Sequence, residues 1–302
     1  MPTKPCQYQK KWSLRAPENV TSQGSAQPSV PNPLACPVHR TGLFFLILTT
    51  TMIDWTLLAP AAFFAGMVDA VVGGGGLIQI PVLLAQFPQT AIPTLFGTNK
   101  VASIAGTGAA LWRYARSVRI PWAVVLPATI AALLGAWGGA ALVAWLPRET
   151  MRPLVVVMMI AVAVYTFMKK DLGQQVTRVI DGRDRWKGTL FGGVIGLYDG
   201  FFGPGTGSFL IFGFVRLFGM DFVQGSASAK VINFATNLSA IAFFASHGPI
   251  LWQVGLVMAA CNLAGSWMGT HLALKHGAGF IRKAFLGVVI VLIAKQLADL
   301  AA

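Results

Sequence analysis

The sequence predicts an all-α polytopic membrane protein of about eight transmembrane helices. Glycine-broken or re-entrant half-helices and two homologous halves complete the expected fold. Three observations carry this reading. The 302 residues are 55% hydrophobic and 11% charged, with a mean hydropathy of +0.65, whereas a soluble domain carries about 25% charged residues. Long apolar blocks alternate with short basic loops. The chain also matches itself when slid by 130 residues.

The segments follow in order. Residues 1–51 are rich in Pro, Gln, Ser and Lys up to position 41 and read as a disordered N-terminal extension. The apolar stretch 42–53 is too short to span, and the long polar lead does not suit a signal peptide. A natural start at Met52 would account for that segment. The first membrane repeat covers 55–168. Residues 55–99 hold one charge, Asp69, and are interrupted by Gly73, Gly74, Gly75 and Gly76. Apolar blocks at 101–112, 122–145 and 153–168 follow. A charged stretch, 169–187, reads as a cytoplasmic linker. The second membrane repeat covers 188–300. It opens with 188–215, which holds Asp199 and the break Gly203-Pro204-Gly205-Thr206-Gly207, and continues with blocks at 231–246, 249–274 and 284–300. Tryptophans 55, 112, 122, 145, 186 and 252 sit near block ends, where an aromatic belt belongs.

The 130-residue register places Asp69 on Asp199, Gly73 on Gly203, Gly75 on Gly205, Thr98 on Ser228 and Lys100 on Lys230 without a gap. Such duplication is a recurrent origin of transporter folds. Continuous helix does not suit four glycines or Gly-Pro-Gly, because Gly costs ~1 kcal/mol and Pro ~3 kcal/mol in a helix interior. Broken backbone at membrane depth must be satisfied by protein or a water-filled cavity. Two half-helices meeting inside the protein are therefore expected in each repeat. Close helix packing through small residues is the other reading of the same glycines.

Loop charge sets the orientation, since Lys and Arg gather on the cytoplasmic side. With inverted halves, the inside receives Arg113, Arg116, Arg119, six residues of the linker, Arg216, Lys275, Arg282 and Lys283. Only Arg148, Arg152 and Lys295 remain outside, thirteen against three. A parallel arrangement gives ten against six. Inverted repeats with a cytoplasmic linker and an outside C-terminus are the better fit. The first 51 residues are left out of that count, and their five Lys and Arg would count for the opposite side.

Other classes are weaker. The net charge of +13 comes from residues between apolar blocks, not from a basic face carrying a nucleic-acid-binding motif. Cys6, Cys36 and Cys261 are widely separated, and His39, His247, His271 and His276 form no metal-ligand pattern, so neither a disulfide framework, a metal nor another cofactor is indicated. No nucleophile–base set suggests an enzyme.

The segments 63–81 (FFAGMVDAVVGGGGLIQIP), 97–103 (GTNKVAS), 196–209 (GLYDGFFGPGTGSF) and 227–237 (ASAKVINFATN) resemble the TauE/SafE family of sulfite and organosulfonate permeases, the YfcA-like members above all. The resemblance covers about residues 55–300. It implies a multi-pass permease of the plasma membrane, bacterial in most members, moving sulfite, a sulfonate or another small anion. Residues 1–41 have no counterpart in the family pattern.

Ionisable groups at bilayer depth are costly unless paired or hydrated, and so are candidates for function. Asp69, Asp199, Lys100 and Lys230 qualify. One reading makes them two structural ion pairs joining the halves. The other makes the lysines an anion site, with the aspartates pairing to them or accepting a proton. Protonating one Asp would free a Lys and couple proton to anion. Half-helix N-termini add positive potential, with Gly75, Gly76, Gly205 and Gly207 allowing close approach. Thr98, Asn99, Ser228, Asn233 and Asn237 offer hydrogen bonds to substrate, or helix–helix contacts of ~0.6 kcal/mol each. His271 and His276 are expected to face the interface. The expected partners are a small anion and the lipid bilayer, with a homo-oligomer allowed but not required. An anion channel and a non-transporting membrane scaffold are the alternatives to a secondary transporter.

Overall fold

The computed structural model describes residues 53–145, 148–168 and 182–276. The N-terminal extension, most of the linker and the last expected span, 284–300, lie outside the described residues. Within them the chain is all helix, without a strand. Seven long helices are α1 (Trp55–Val72), α3 (Ile92–Ala115), α4 (Trp122–Trp145), α5 (Arg148–Met168), α6 (Gly182–Phe201), α8 (Phe222–His247) and α9 (Trp252–His276). Two short ones, α2 (Gly76–Gln86) and α7 (Thr206–Phe218), have 11 and 13 residues. The starts of α2 and α7, of α3 and α8, and of α4 and α9 are each 130 residues apart.

The composition of the surface is that of a protein in lipid. Large apolar side chains such as Leu126, Ile130, Leu134, Leu190, Val194, Leu256 and Leu263 point outward, while Gln79, Lys100, Asp199, Lys230, Asn233, Asn237 and Asn262 are buried. Water would reverse that distribution. Helices α1 and α4 are long and apolar enough to cross a membrane on length and composition alone. Helices α3, α8 and α9 have 24 to 26 residues, about 36 Å at 1.5 Å per residue, but carry polar groups that the interior satisfies.

Glycine and alanine set the tightest packing. On α6, Gly192, Gly196 and Gly200 lie directly over the backbone of Ala128, Ala132 and Ala136 on α4. The numbers rise in step, so α4 and α6 run parallel. On α9, Gly265 and Gly269 lie over Phe63 and Met67 of α1 in the same way, so that pair is parallel too. Small residues let backbones approach, which is the main source of helix association where lipid removes the hydrophobic drive.

Contacts along α3 fix the ends. Leu251 N–H donates to Thr98 Oγ1 (3.1 Å), and Arg113 Nη1 donates to the Trp267 carbonyl (3.0 Å). Helices α3 and α9 therefore begin together, and α1 begins with them. Helix α4 begins at the opposite end, where Gln224 Nε2 donates to the Arg119 carbonyl (3.0 Å) and Gly188 meets Val124. Helix α6 begins at that second end. The second end also carries Arg113, Arg116, Arg119, Arg183, Arg185, Lys187, Arg216 and Lys275.

Candidate functional site

The site forms where the long helices break. Helix α1 stops at Gly73, whose φ of 79° is left-handed, and its N–H closes on the Asp69 carbonyl (3.0 Å). Gly203 ends α6 with φ 88°. A left-handed residue costs an L side chain roughly 1–2 kcal/mol, so glycine makes both turns cheap. The chain then reverses into α2 and α7. The two reversals touch: Gly73 and Gly207 stand back to back, Gly76 lies on Pro204, and Ser208 donates N–H to the Gly73 carbonyl (3.3 Å) and Oγ to the Val72 carbonyl (2.5 Å). Each break thus satisfies part of the other's backbone.

Two ion pairs flank this contact. Lys100 Nζ of α3 lies 2.8 Å from Asp199 Oδ2 of α6, off the direct hydrogen-bond line. Lys230 Nζ of α8 lies 2.8 Å from Asp69 Oδ2 of α1 and donates to the Asp69 carbonyl (2.5 Å). Each lysine takes the aspartate from the other part of the chain. Lys230 is fully buried while the Asp69 side chain is 15% exposed; the Lys100 and Asp199 side chains are 5% and 2% exposed. Lys100 stands eight residues after the start of α3 and Lys230 eight after the start of α8. Since those helices begin at opposite ends, the pairs are stacked along the axis, one nearer each end.

A polar cavity of about 20 Å³, counted as room for the centres of water molecules, lies between them. That space holds about one water. Asp69, Gly76, Asn99, Lys100, Asp199, Gly205, Gly207, Asn233 and Asn237 of the residues expected from sequence line it. Gly75, Thr98, Ser228 and Lys230 do not. Gly75 packs against Ala65 and Asp69. Thr98 donates to the Thr94 carbonyl (2.7 Å) and receives Leu251 N–H. Ser228 Oγ points to Met220 Sδ (3.6 Å). Ser103 and Thr107 line the cavity though neither was expected there. Their register mates are Asn233 and Asn237, so the 130-residue repeat was the signal that could have found them. Thr107 Oγ1 lies 3.5 Å from Asp69 Oδ2, and Ser103 donates to Gln79 Oε1 (3.1 Å). Asn99 Oδ1 is buried without a hydrogen-bond partner among the described residues; a rotated Asn99 amide would turn its N–H₂ toward the cavity instead.

A helical bundle with outward apolar residues, chain breaks at its centre and paired intramembrane charges beside a polar cavity defines a polytopic membrane protein of the transporter class. Residues 58–296 match the family described as sulfite exporter TauE/SafE, and the chain belongs to that family. It is a membrane transporter, not an enzyme. It is 36% identical over 245 residues to a Sinorhizobium protein named "Probable membrane transporter protein ORF9", covering 79% of this chain and 90% of the relative. It is 31% identical over 242 residues to "Probable membrane transporter protein YfcA" of Escherichia coli K12, covering 79% and 87%. A "Probable membrane transporter protein" of Haemophilus influenzae is 33% identical over 253 residues, covering 80% and 94%. No solved structure matches the chain.

Proposed function

We propose that the chain is a secondary transporter of the plasma membrane that carries a small oxyanion of the sulfite or organosulfonate kind, coupled to a proton. The observation that carries this reading is the position of Lys100: a buried cation on the wall of a cavity, held by one carboxylate that belongs to the other part of the chain. Lys230 is tied twice to Asp69 and is not among the residues that line the cavity, so it serves mainly to hold that aspartate. The opposite starts of α1 and α6 and the basic loops at one end support two inverted repeats, 55–168 and 188–300, with that end cytoplasmic.

A cavity with room for about one water is too small for a sulfonate, so binding requires the helices around it to move apart. Separating Lys100 from Asp199 offers the ammonium to an anion. Asp199, released from Lys100, is then the carboxylate that carries the coupled proton. Ser103, Thr107, Asn99, Asn233 and Asn237 supply neutral donors around the oxyanion. Because each ion pair lies nearer one end, opening one while the other stays closed gives alternating access.

Uptake into proteoliposomes tests this, with sulfite, sulfoacetate, taurine, thiosulfate and sulfate supplied with and without a pH gradient. One of these should accumulate, driven by the gradient. Lys100→Ala should abolish accumulation, and Asp199→Asn should uncouple it from pH. Flux without saturation, or single-channel currents, would indicate a channel. No flux from folded protein would break the link to sulfur oxyanions.

A further inference from the structure

We infer that the basic end of the bundle holds a binding site for the headgroup of an anionic phospholipid, built on a stack of two tryptophans between two arginines. Trp112 of α3 and Trp267 of α9 stack with centroids 5.9 Å apart and planes 27° apart. The Arg116 guanidinium lies 3.8 Å from the Trp112 centroid, and that of Arg113 lies 4.6 Å from the Trp267 centroid. Both rings are 48% exposed. Arg113 spends one N–H on the Trp267 carbonyl. His271 and Lys275 follow Trp267 at successive helical turns and are exposed. Leu263 and Met268 are exposed apolar neighbours on α9.

The other end of the bundle carries the matched structure without the charge. By the 130-residue register, Trp267 corresponds to Trp137, Arg113 to Phe243, and Arg116 to Ser246. Trp137 packs edge-on to Phe243 with centroids 5.3 Å apart. A neutral aromatic contact therefore suffices to join these helices. Arg116 gives no side-chain N–H to a protein acceptor among the described residues, and Arg113 keeps further N–H groups beyond the one on Trp267, so both have donors to offer outside the protein. A guanidinium held over a ring still has N–H groups to donate, and its planar fork matches the paired oxygens of a phosphate. Exposed rings at an interface take up the level of lipid headgroups, and the cytoplasmic leaflet is the anionic one. A phosphodiester with its acyl chains against Leu263 and Met268 fits charge, geometry and depth together.

The test uses the full chain in a neutral detergent, with phosphatidylglycerol or phosphatidylcholine added at equal concentration and bound lipid counted by native mass spectrometry. Phosphatidylglycerol is expected to bind in preference. Arg116→Gln should reduce that preference roughly fivefold, from about 1 kcal/mol per basic residue at the surface. Arg216→Gln, at the same end but over Phe212, should leave it nearly unchanged. Arg116→Lys, which keeps the charge and loses the planar fork, replaces the Gln variant if that fails to fold, and should also weaken binding. An equal loss in Arg116→Gln and Arg216→Gln would mean diffuse charge alone and would overturn the site. So would equal binding of the two lipids, or full displacement by soluble glycerol phosphate. None of these readouts depends on transport.

Discussion

Asparagine at Asp69 should cost more than methionine at Lys230, although both break the same ion pair. Asp69→Asn removes the countercharge of the Lys230 ammonium, which is fully buried and keeps only neutral acceptors, the new amide oxygen and the main-chain carbonyl of residue 69. Breaking a buried pair from one side typically costs 3–5 kcal/mol, and we expect about 4 kcal/mol here. Lys230→Met leaves the Asp69 carboxylate, which is 15% exposed and borders the cavity. Water or a proton can reach it, so the cost should be about 2 kcal/mol. The difference of about 2 kcal/mol corresponds to a ratio near thirtyfold in the folding equilibrium. The double variant should be more stable than Asp69→Asn alone by about 1 kcal/mol, which corresponds to a coupling of about 3 kcal/mol. Unfolding by sodium dodecyl sulfate in mixed micelles, followed by tryptophan fluorescence, measures all three. Equal costs for the single variants, together with a double variant equal to their sum, would refute the argument that Lys230 depends on Asp69.

Two further outcomes follow from the packing. Gly196→Ala places a methyl inside the Ala132 backbone, whereas Gly193→Ala meets nothing nearer than Ala131 Cβ at 3.7 Å. The first should lose about 2 kcal/mol or fail to fold and the second stay within about 0.5 kcal/mol of the parent, as read by thermal unfolding in detergent. Gly203→Ala forces an L side chain to φ 88° and sets its Cβ 3.1 Å from Lys100 Nζ. It should cost about 1–2 kcal/mol and slow flux through the Lys100 site, which parallel melts and proteoliposome assays would separate.

The helix breaks were legible because glycine at 73 and 203 has no substitute at positive φ, and the repeated spacing marks where α2 and α7 begin. The four intramembrane charges stood out because apolar surroundings leave them conspicuous. Their pairing did not: nothing local tells Lys100 to choose Asp199, since the choice comes from α6 packing on α4 and α1 on α9. Thr98 and Ser228 looked equivalent in the register. Thr98 receives the Leu251 N–H, but the position matching Leu251 is Pro121, which has no N–H to give, and Ser228 turns to a sulfur instead. Ser103 and Thr107 escaped notice because small hydroxyls on a helix usually bond their own backbone. Their register mates Asn233 and Asn237 point to that face, and the neighbouring α2 and α1 place them on it.

The interlock of α1 with α9 and of α4 with α6 bears on how the protein is made. When synthesis has passed residue 168, Lys100 has no counter-ion and α1 lacks α9, the helix that packs along its glycine seam. The first portion can enter the bilayer, but it cannot close until α6 and α9 arrive. Maturation therefore waits on the end of translation, and two separately expressed pieces divided in the linker should find each other, because neither has another way to cover its glycine seam.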